Sequence, residues 1–568
     1  MGQKIVIIGG VACGPKAAAR ARRRDPEAEI TIIERKPHVS YASCGLPYYV
    51  GGVVPDIDKL ISTTHGTFRD PDYFHHVKNI NAMINTEALA IDRDKKEVRI
   101  KDLQTGNESS LPYDQLVLST GASPQVPPLP GADLDRIWNL WSMKDAQVIR
   151  EKIEAGEADR ICVIGAGLIG IESCEALMNQ AVDTHLVDIM PQVLYGPLDQ
   201  DMAELVSYAL REENIEICLC QGVKSFEGEN GQVKKVITEA GEIETDAVIL
   251  AMGAKPNIEL AKDSGLDIGD LGAIKVDEYL KTNDPHIFAG GDCVENHHLV
   301  TGQKTWNPLG STANMHGRVI GDNLTGMDST FPGVLGTGIM KTLGTNVGYT
   351  GITDSKAGEL GFDTVTGINT ANDKSHFFPG GKDLAIKLVA DKTTRRVLGC
   401  QVVGAGDVAR VVDAAASALR YGATLEDLAY MDFCYAPPFG APVTPLANAA
   451  NIALNKLSGM AETISAFELF ELLGSDRDFV MIDVRTQGEL KARPPIEDKR
   501  SIAIDMHEIR QKADELPRDK PLIIICQLGQ RSYEVLQMLK GKGFQNAKSL
   551  EGGLRIFTRT TKPESDKQ

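Results

Sequence analysis

Two segments of this chain end a short apolar run in a glycine-rich turn, enter a helix-prone stretch, and reach a second apolar run that closes on an acid. In the first, Lys4–Ile8 leads to Gly9-Gly10-Val11-Ala12-Cys13-Gly14, and residues 30–33 end at Glu34. In the second, Arg160–Ile164 leads to Gly165-Ala166-Gly167-Leu168-Ile169-Gly170, and residues 184–187 end at Asp188. Apolar runs without alternation are strands covered on both faces, so each segment predicts a parallel α/β unit. Such a turn lets backbone N–H groups and a helix N-terminus meet a pyrophosphate, while the acid accepts ribose hydroxyls. Gly165, Gly167 and Gly170 fit the pattern in full, with Asp188 23 residues after Gly165. Asp188 would repel a 2′-phosphate and Ile189-Met190-Pro191-Gln192 holds no Arg or Lys, which favours NADH. In the first loop Val11 stands at the middle glycine position. Gly9, Gly10, Val11, Ala12, Gly14 and Glu34 are its candidate cofactor contacts.

Composition excludes several classes. Lys+Arg 60 against Asp+Glu 78 gives −18, an acidic surface that disfavours nucleic acid or anionic membrane as partner. Ten Cys in 568 residues are too sparse for a disulfide scaffold, and no C-x2-C pair points to zinc, so no metal site is predicted. The adjacent pairs His75-His76 and His297-His298 read as surface or loop residues, because sequence neighbours do not converge on one helix face. No apolar stretch nears the ~18 residues of a membrane span, and a soluble cytoplasmic protein is expected.

Residues 330–455 change character, with Gly/Thr-rich strands and then a helix-prone run at 408–419. After Ser458-Gly459 the pattern resets to a small α/β segment whose apolar run 521–525 ends at Cys526-Gln527-Leu528-Gly529-Gln530-Arg531. Such a loop can fold its N–H groups around a thiolate or persulfide sulfur. The polar tail 560–568 is expected to lack order.

Ser40-Tyr41-Ala42-Ser43-Cys44-Gly45-Leu46-Pro47-Tyr48-Tyr49 follows Glu34 closely and predicts Cys44 at a helix start, where the dipole favours a thiolate. Tyr49 occupies the second position of a C-x4-C pair, so Cys44 works alone. Its oxidised state then needs an outside partner: a small thiol, a sulfane sulfur, or oxygen as sulfenic acid.

This stretch resembles the S-F-A-N-C-G-L-P-Y-Y motif of the coenzyme A-disulfide reductases and their NADH oxidase and peroxidase relatives. The resemblance covers roughly residues 1–455 and includes Tyr435-Ala436-Pro437-Pro438-Phe439-Gly440. The run from Thr282 to Gly291-Asp292 resembles the second flavin motif of two-dinucleotide flavoproteins. The resemblance implies FAD on the first loop with Glu34, Gly121, Asp292 and Ala313, and NADH on the second with Asp188. It implies a homodimer in which Tyr435 reaches the partner's active site, and it matches Lys16, Arg20 and Arg23 to coenzyme A contacts, with Ser40 and Ser43 as further substrate-binding candidates. Three positions depart: Ser43 replaces an Asn, Phe377 a Tyr, and Val443 a Lys that contacts coenzyme A.

The C-terminal segment resembles rhodanese in its Cys-x4-Arg loop, in Asp483-Val484-Arg485 with Glu489, and in Glu551-Gly552-Gly553. Related phosphatases use the longer Cys-x5-Arg, so the resemblance implies sulfur transfer, with Arg531 contacting the substrate and Arg485 supporting the loop. The usual His-Ile-Pro-Gly-Ala segment is reduced to Arg493-Pro494-Pro495-Ile496.

The fold class implied is α/β. It comprises an FAD-binding domain (1–122 and 246–325), an NAD-binding domain (123–245), both Rossmann-like, an α+β dimerisation domain (330–455) and a rhodanese-like α/β domain (463–560). The fusion resembles the NADH-dependent persulfide and polysulfide reductases, which implies Cys44, Cys526 and Tyr435 as catalytic groups and a small thiol, persulfide or polysulfide as partner. An NADH oxidase or peroxidase using a Cys44 sulfenic acid, a sulfur carrier or redox adaptor using Cys526, and reduction of coenzyme A disulfide itself stay open.

Overall fold

The computed structural model describes residues 2–560, so residues 561–568 of the polar tail lie outside the described residues. Two compact units form, one from 2–185 with 223–334 and the other from 186–222 with 335–560.

The first unit is built on a five-stranded parallel sheet ordered Ile287–Ala289, Gln115–Leu118, Lys4–Ile8, Glu29–Ile33, Asn81–Met83. Lys4–Ile8 is central, and this explains its unbroken apolar run. Ile5 and Ile7 face the helices Cys13–Arg24 and Gly310–Asn323, while Val6 and Ile8 face a second core that includes Val98, Ile100 and Ile274. The two helices cross closely because Gly317 and Gly321 have no side chain: a Cβ at Gly317 would lie 2.5 Å from the Cys13 carbonyl oxygen. In the same unit Arg160–Ile164 pairs in parallel with Ala247–Leu250, which pairs with Ile137–Asn139.

The second unit holds a five-stranded antiparallel sheet ordered Gly338–Thr342, Thr345–Gly351, Val397–Gly404, Asp383–Asp391, Thr364–Asn372. Helices Val408–Arg420 and Pro445–Leu457 pack on it. Lys387 lies buried in this sheet, 2.8 Å from Asp201 and 3.2 Å from Asp199. Asp199 also accepts hydrogen bonds from Gln401 Nε2 and the Asp354 and Ser355 amides, so the helix Gln200–Glu212 is tied to the sheet through buried charge. The C-terminal part is a parallel sheet ordered Thr463–Ile464, Ala547–Leu550, Leu522–Ile525, Val480–Asp483, Ser501–Ala503. The α/β class expected from the sequence is the observed one.

The histidine reading needs one correction. His75 and His76 are exposed on the helix Pro71–Lys78 and His297 is exposed, but His298 is buried and its Nδ1 accepts the Val300 amide. Among the described residues no group of three or more His, Cys, Asp or Glu is placed to hold a metal, and no helix is long and apolar enough to cross a membrane.

Candidate active site

The glycines of the two loops divide by what excludes a side chain. A Cβ at Gly165 would lie 2.3 Å from the Ala251 carbonyl oxygen, and one at Gly170 would lie 1.8 Å from that of Gly165. Gly9 and Gly14 are confined in the same way by the carbonyl oxygens of Ser119 and Gly9, each at 2.0 Å. These four are demanded by strand–helix packing. Gly167 is different: a Cβ there meets nothing within 4 Å, although Gly167 caps the helix Leu168–Met178 with no side-chain hydrogen bond to the free amides. Open space over bare helix amides fits a pyrophosphate. In the second unit Asp188 is half-buried and its Oδ1 accepts the Met190 amide.

At the first loop, Glu34 is 6% exposed and accepts Gly10 N at 2.7 Å and Lys36 N at 2.9 Å. Val11 and Ala12 are half-buried, and Ala12 leads into the helix Cys13–Arg24 without a side-chain cap. Gly121 turns at a φ of 68° into open space. The Asp292 carboxylate accepts no hydrogen bond from any described residue, and burial pushes its pKa up to about 6. A half-buried carboxylate without a donor fits a ligand that brings hydroxyls, as the ribityl chain of FAD does. Beside it, Ala313 is buried on the helix that opens at Gly310, and His316 Nδ1 accepts the Gly291 amide at 3.1 Å. Burial holds the His316 pKa down at about 4, so its ring stays neutral. The residues present therefore fit a bound dinucleotide at each loop.

Cys44 is exposed in a single 3₁₀ turn, Ser43–Gly45. The helix that follows, Leu46–Val50, has only five residues, so the dipole expected to favour the thiolate is short and weak. All ten cysteines are free thiols, and at the second position of the C-x4-C pair Tyr49 stacks under Arg150, 4.7 Å from ring centroid to guanidinium carbon. Ser40 adopts a φ of 53° and donates its amide to the Gly10 carbonyl at 2.7 Å, which brings the Cys44 segment back to the first loop. Ser43 is exposed beside Cys44.

Sequence reasoning passed over Tyr48, Glu172 and Glu175, which line a narrow cleft with Pro47, Val53, Ala176 and Asn179. The Tyr48 hydroxyl is pushed up by burial and then by the charges of Glu172, Glu175 and Cys44. Burial, with Glu175 nearby, lifts the Glu172 carboxyl to about 7. The signal available was the pair Glu172 and Glu175, one turn apart on a mostly apolar helix that begins just after Gly167.

Of the three first-helix cations matched to coenzyme A contacts, Lys16 and Arg23 are exposed. Arg20, matched to a coenzyme A contact, is held by Asp322 at 2.7 Å on the crossing helix.

In the second unit Cys526 closes the strand Leu522–Ile525 and is fully buried, its Sγ accepting Gly529 N at 3.1 Å and Ser532 N at 3.3 Å. Arg531 makes a two-point contact with Glu489, so its charge is already countered. Arg485, expected to support the loop, instead grips Asp483 and the Pro494 carbonyl, and its Nη1 has no partner. Tyr435, Phe377, Phe439 and Val443 are all exposed, and the segments carrying them are joined by Ser375, whose hydroxyl donates to the Gly440 carbonyl at 2.8 Å.

Two dinucleotide cradles, an unpaired exposed cysteine beyond the first acid, and a second cysteine under loop amides define a two-dinucleotide oxidoreductase with an appended sulfur-handling module. Residues 3–317 match the pyridine nucleotide-disulphide oxidoreductase family, 340–446 its dimerisation domain, and 466–560 the rhodanese-like domain. The chain belongs to the pyridine nucleotide-disulphide oxidoreductase family. It is 37% identical over 446 residues to an NAD(P)H coenzyme A polysulfide/persulfide reductase of Pyrococcus horikoshii, covering 78% of this chain and 97% of that one. It is 37% identical over 456 residues to an NADH oxidase of Methanocaldococcus jannaschii, covering 80% and 99%. The solved structure of an NAD-dependent persulfide reductase from A. fulgidus superposes with a TM-score of 0.94 at 41% identity, covering 98% of this chain and 100% of that one.

Proposed function

We propose that this protein is a flavoprotein that uses NADH to reduce persulfides or polysulfides through Cys44, releasing sulfide, with Cys526 handling sulfane sulfur. The observation that carries the reading is the pairing in one chain of a solitary exposed Cys44 with a Cys526 sulfur under two loop amides. A lone thiol with no resolving cysteine suits a substrate that is itself the disulfide partner. The likeness to the A. fulgidus reductase over 98% of the chain, rhodanese-like module included, supports this reading over one confined to the first 455 residues.

Gly9, Gly10, Val11, Ala12, Gly14, Glu34, Gly121, Asp292 and Ala313 would hold FAD within segments 1–122 and 246–325. Gly165, Gly167, Gly170 and Asp188 would hold NADH within 123–245. Bound FAD supplies the electron pair, drawn from NADH, that returns a disulfide to two thiols. The chain's own step is sulfur chemistry. The Cys44 thiolate attacks the inner sulfur of R–S–SH, the S–S bond breaks, hydrosulfide leaves with its electron pair, and Cys44–S–S–R remains. Hydrosulfide is the better leaving group because its conjugate acid has the lower pKa. Tyr435 from the partner subunit of a homodimer would protonate the departing thiolate. The matched dimerisation domain and the exposed apolar Phe377, Phe439 and Val443 support that assembly. Lys16 and Arg23, with Ser40 and Ser43, suit the phosphates and polar groups of coenzyme A as the thiol carrier. Ten free thiols suit a reducing cytoplasm.

The M. jannaschii relative supports a second reading, an NADH oxidase in which Cys44 cycles through a sulfenic acid. Anaerobic stopped-flow separates the two. Rapid NADH oxidation with sulfide release from a persulfide supports the proposal, and turnover that requires oxygen or peroxide overturns it.

A further inference from the structure

We propose that Thr370, on the antiparallel sheet of the dimerisation domain, is a positioning residue that aims the Cys526 loop at its sulfur. The inference rests on the reading of Cys526 as a carrier of anionic sulfane sulfur.

For loop amides to point at a sulfur, the loop carbonyls must point away from it, and buried carbonyls need donors. Each of the four carbonyls from Cys526 to Gly529 has one. Cys526 O accepts Leu554 N at 2.9 Å and Gln527 O accepts Arg555 N at 3.1 Å. Gly529 O accepts the Ser532 hydroxyl at 2.8 Å. These three donors come from the rhodanese-like domain itself. The fourth carbonyl, Leu528 O, accepts the Thr370 hydroxyl at 3.1 Å, a donor 158 residues away on the strand Thr364–Asn372. Thr370 is 4% exposed, and its hydroxyl also lies 3.3 Å from Gly552 O.

The Leu528 carbonyl and the Gly529 N–H belong to one planar peptide and point in opposite directions. Gly529 N is the shorter of the two hydrogen bonds to the Cys526 sulfur. Anchoring the oxygen therefore aims the N–H, and releasing it leaves the peptide free to rotate off that aim and leaves a buried carbonyl without its donor. The surrounding contacts make the anchor rigid. Glu551 accepts Lys456 Nζ at 2.5 Å and lies 3.4 Å from the Ile368 amide, two residues from Thr370. The sulfur cradle is thus completed by a domain other than the one that carries the cysteine.

The test is the pH profile of Cys526 alkylation by iodoacetamide in the intact holoenzyme, read by mass spectrometry of the Cys526 peptide. The charged groups around the loop, Arg531 with Glu489 and Asp483 with Arg485, stay unchanged in each variant. Thr370→Val, which removes the hydroxyl and keeps the shape, is expected to raise the midpoint by about one pH unit, lowering the neutral-pH rate about tenfold. Thr370→Ser is expected to restore the wild-type profile. An unchanged Thr370→Val profile, or equal shifts in both variants, overturns the positioning role. Incubation of wild type with polysulfide tests the underlying reading separately, because a Cys526 peptide that gains no sulfur overturns the carrier role whatever Thr370 does.

Discussion

Glu489 grips Arg531 at two points, Nη1 to Oε2 at 2.7 Å and Nη2 to Oε1 at 2.5 Å, at the rim of the loop that holds Cys526. The Arg531 hydrogen bonds, opposed by burial and helped by Thr486, hold the Glu489 carboxyl at about 2. Its folded pKa lies below the unfolded value, so the pair's contribution is present above about pH 4.5 and fades as pH falls towards 2. Glu489→Gln is expected to lower stability by about 0.5–1 kcal/mol at neutral pH, with the gap to wild type closing in acid. It also releases the guanidinium, and a lower KM for an anionic sulfur donor such as thiosulfate is expected. Thermal melts across pH and sulfur-transfer kinetics check both outcomes.

The two proposed chemical thiols are separable. Cys44→Ser is expected to lower anaerobic NADH-dependent sulfide release by about 10³-fold or more while Cys526 still gains sulfur from polysulfide. Cys526→Ala is expected to abolish that loading and leave reduction of a pre-formed small-molecule persulfide. Loss of small-molecule reduction in Cys526→Ala would place both thiols in one obligatory path.

Nucleotide choice rests on Asp188 and the lack of a cation after it. Asp188→Ala is expected to raise the KM for NADH with kcat little changed, because a ribose contact acts equally on ground and transition states. Adding Ile189→Arg, at a position 68% exposed, is expected to move preference towards NADPH. Steady-state kinetics with both nucleotides decide the matter.

Lys387 is the counter-charge of two carboxylates, the buried Asp199 and the half-buried Asp201. Burial alone would raise the Asp199 carboxyl, but Lys387, Gln401 and the Asp354 and Ser355 amides outweigh it and hold it below the ordinary value. Burial alone would lower Lys387, but Asp201 and Asp199 hold it above its ordinary range. The cluster's stabilisation is therefore fully present from about pH 4, where Asp199 ionises in the unfolded chain, to about pH 10, above which it is lost progressively because the lysine deprotonates first in the unfolded chain. Lys387→Met leaves the buried Asp199 and half-buried Asp201 carboxylates without their counter-charge and is expected to cost about 3–5 kcal/mol, measured by denaturant unfolding. A loss below 1 kcal/mol would mean that water reaches the cluster.

Features with a local cause are legible in the chain order alone. Gly9, Gly14, Gly165 and Gly170 exclude a Cβ because strand, turn and helix follow one another at fixed spacing, so residue type and interval suffice to read them. The solitary state of Cys44 and the six-residue length of the Cys526 loop are likewise properties of the chain order. The partners of the charged and polar side chains were decided only by tertiary packing. Arg20 meets Asp322, Arg531 meets Glu489, Lys387 meets Asp201, and Thr370 meets Leu528, across 302, 42, 186 and 158 residues. A hydrogen-bond partner is chosen by which groups burial brings within about 3 Å, and no periodicity in the chain encodes that distance. That is why Arg20 and Arg531 read as ligand contacts in the sequence without their carboxylate partners, and why Thr370, on a strand 158 residues before the sulfur loop, carries no sequence signal.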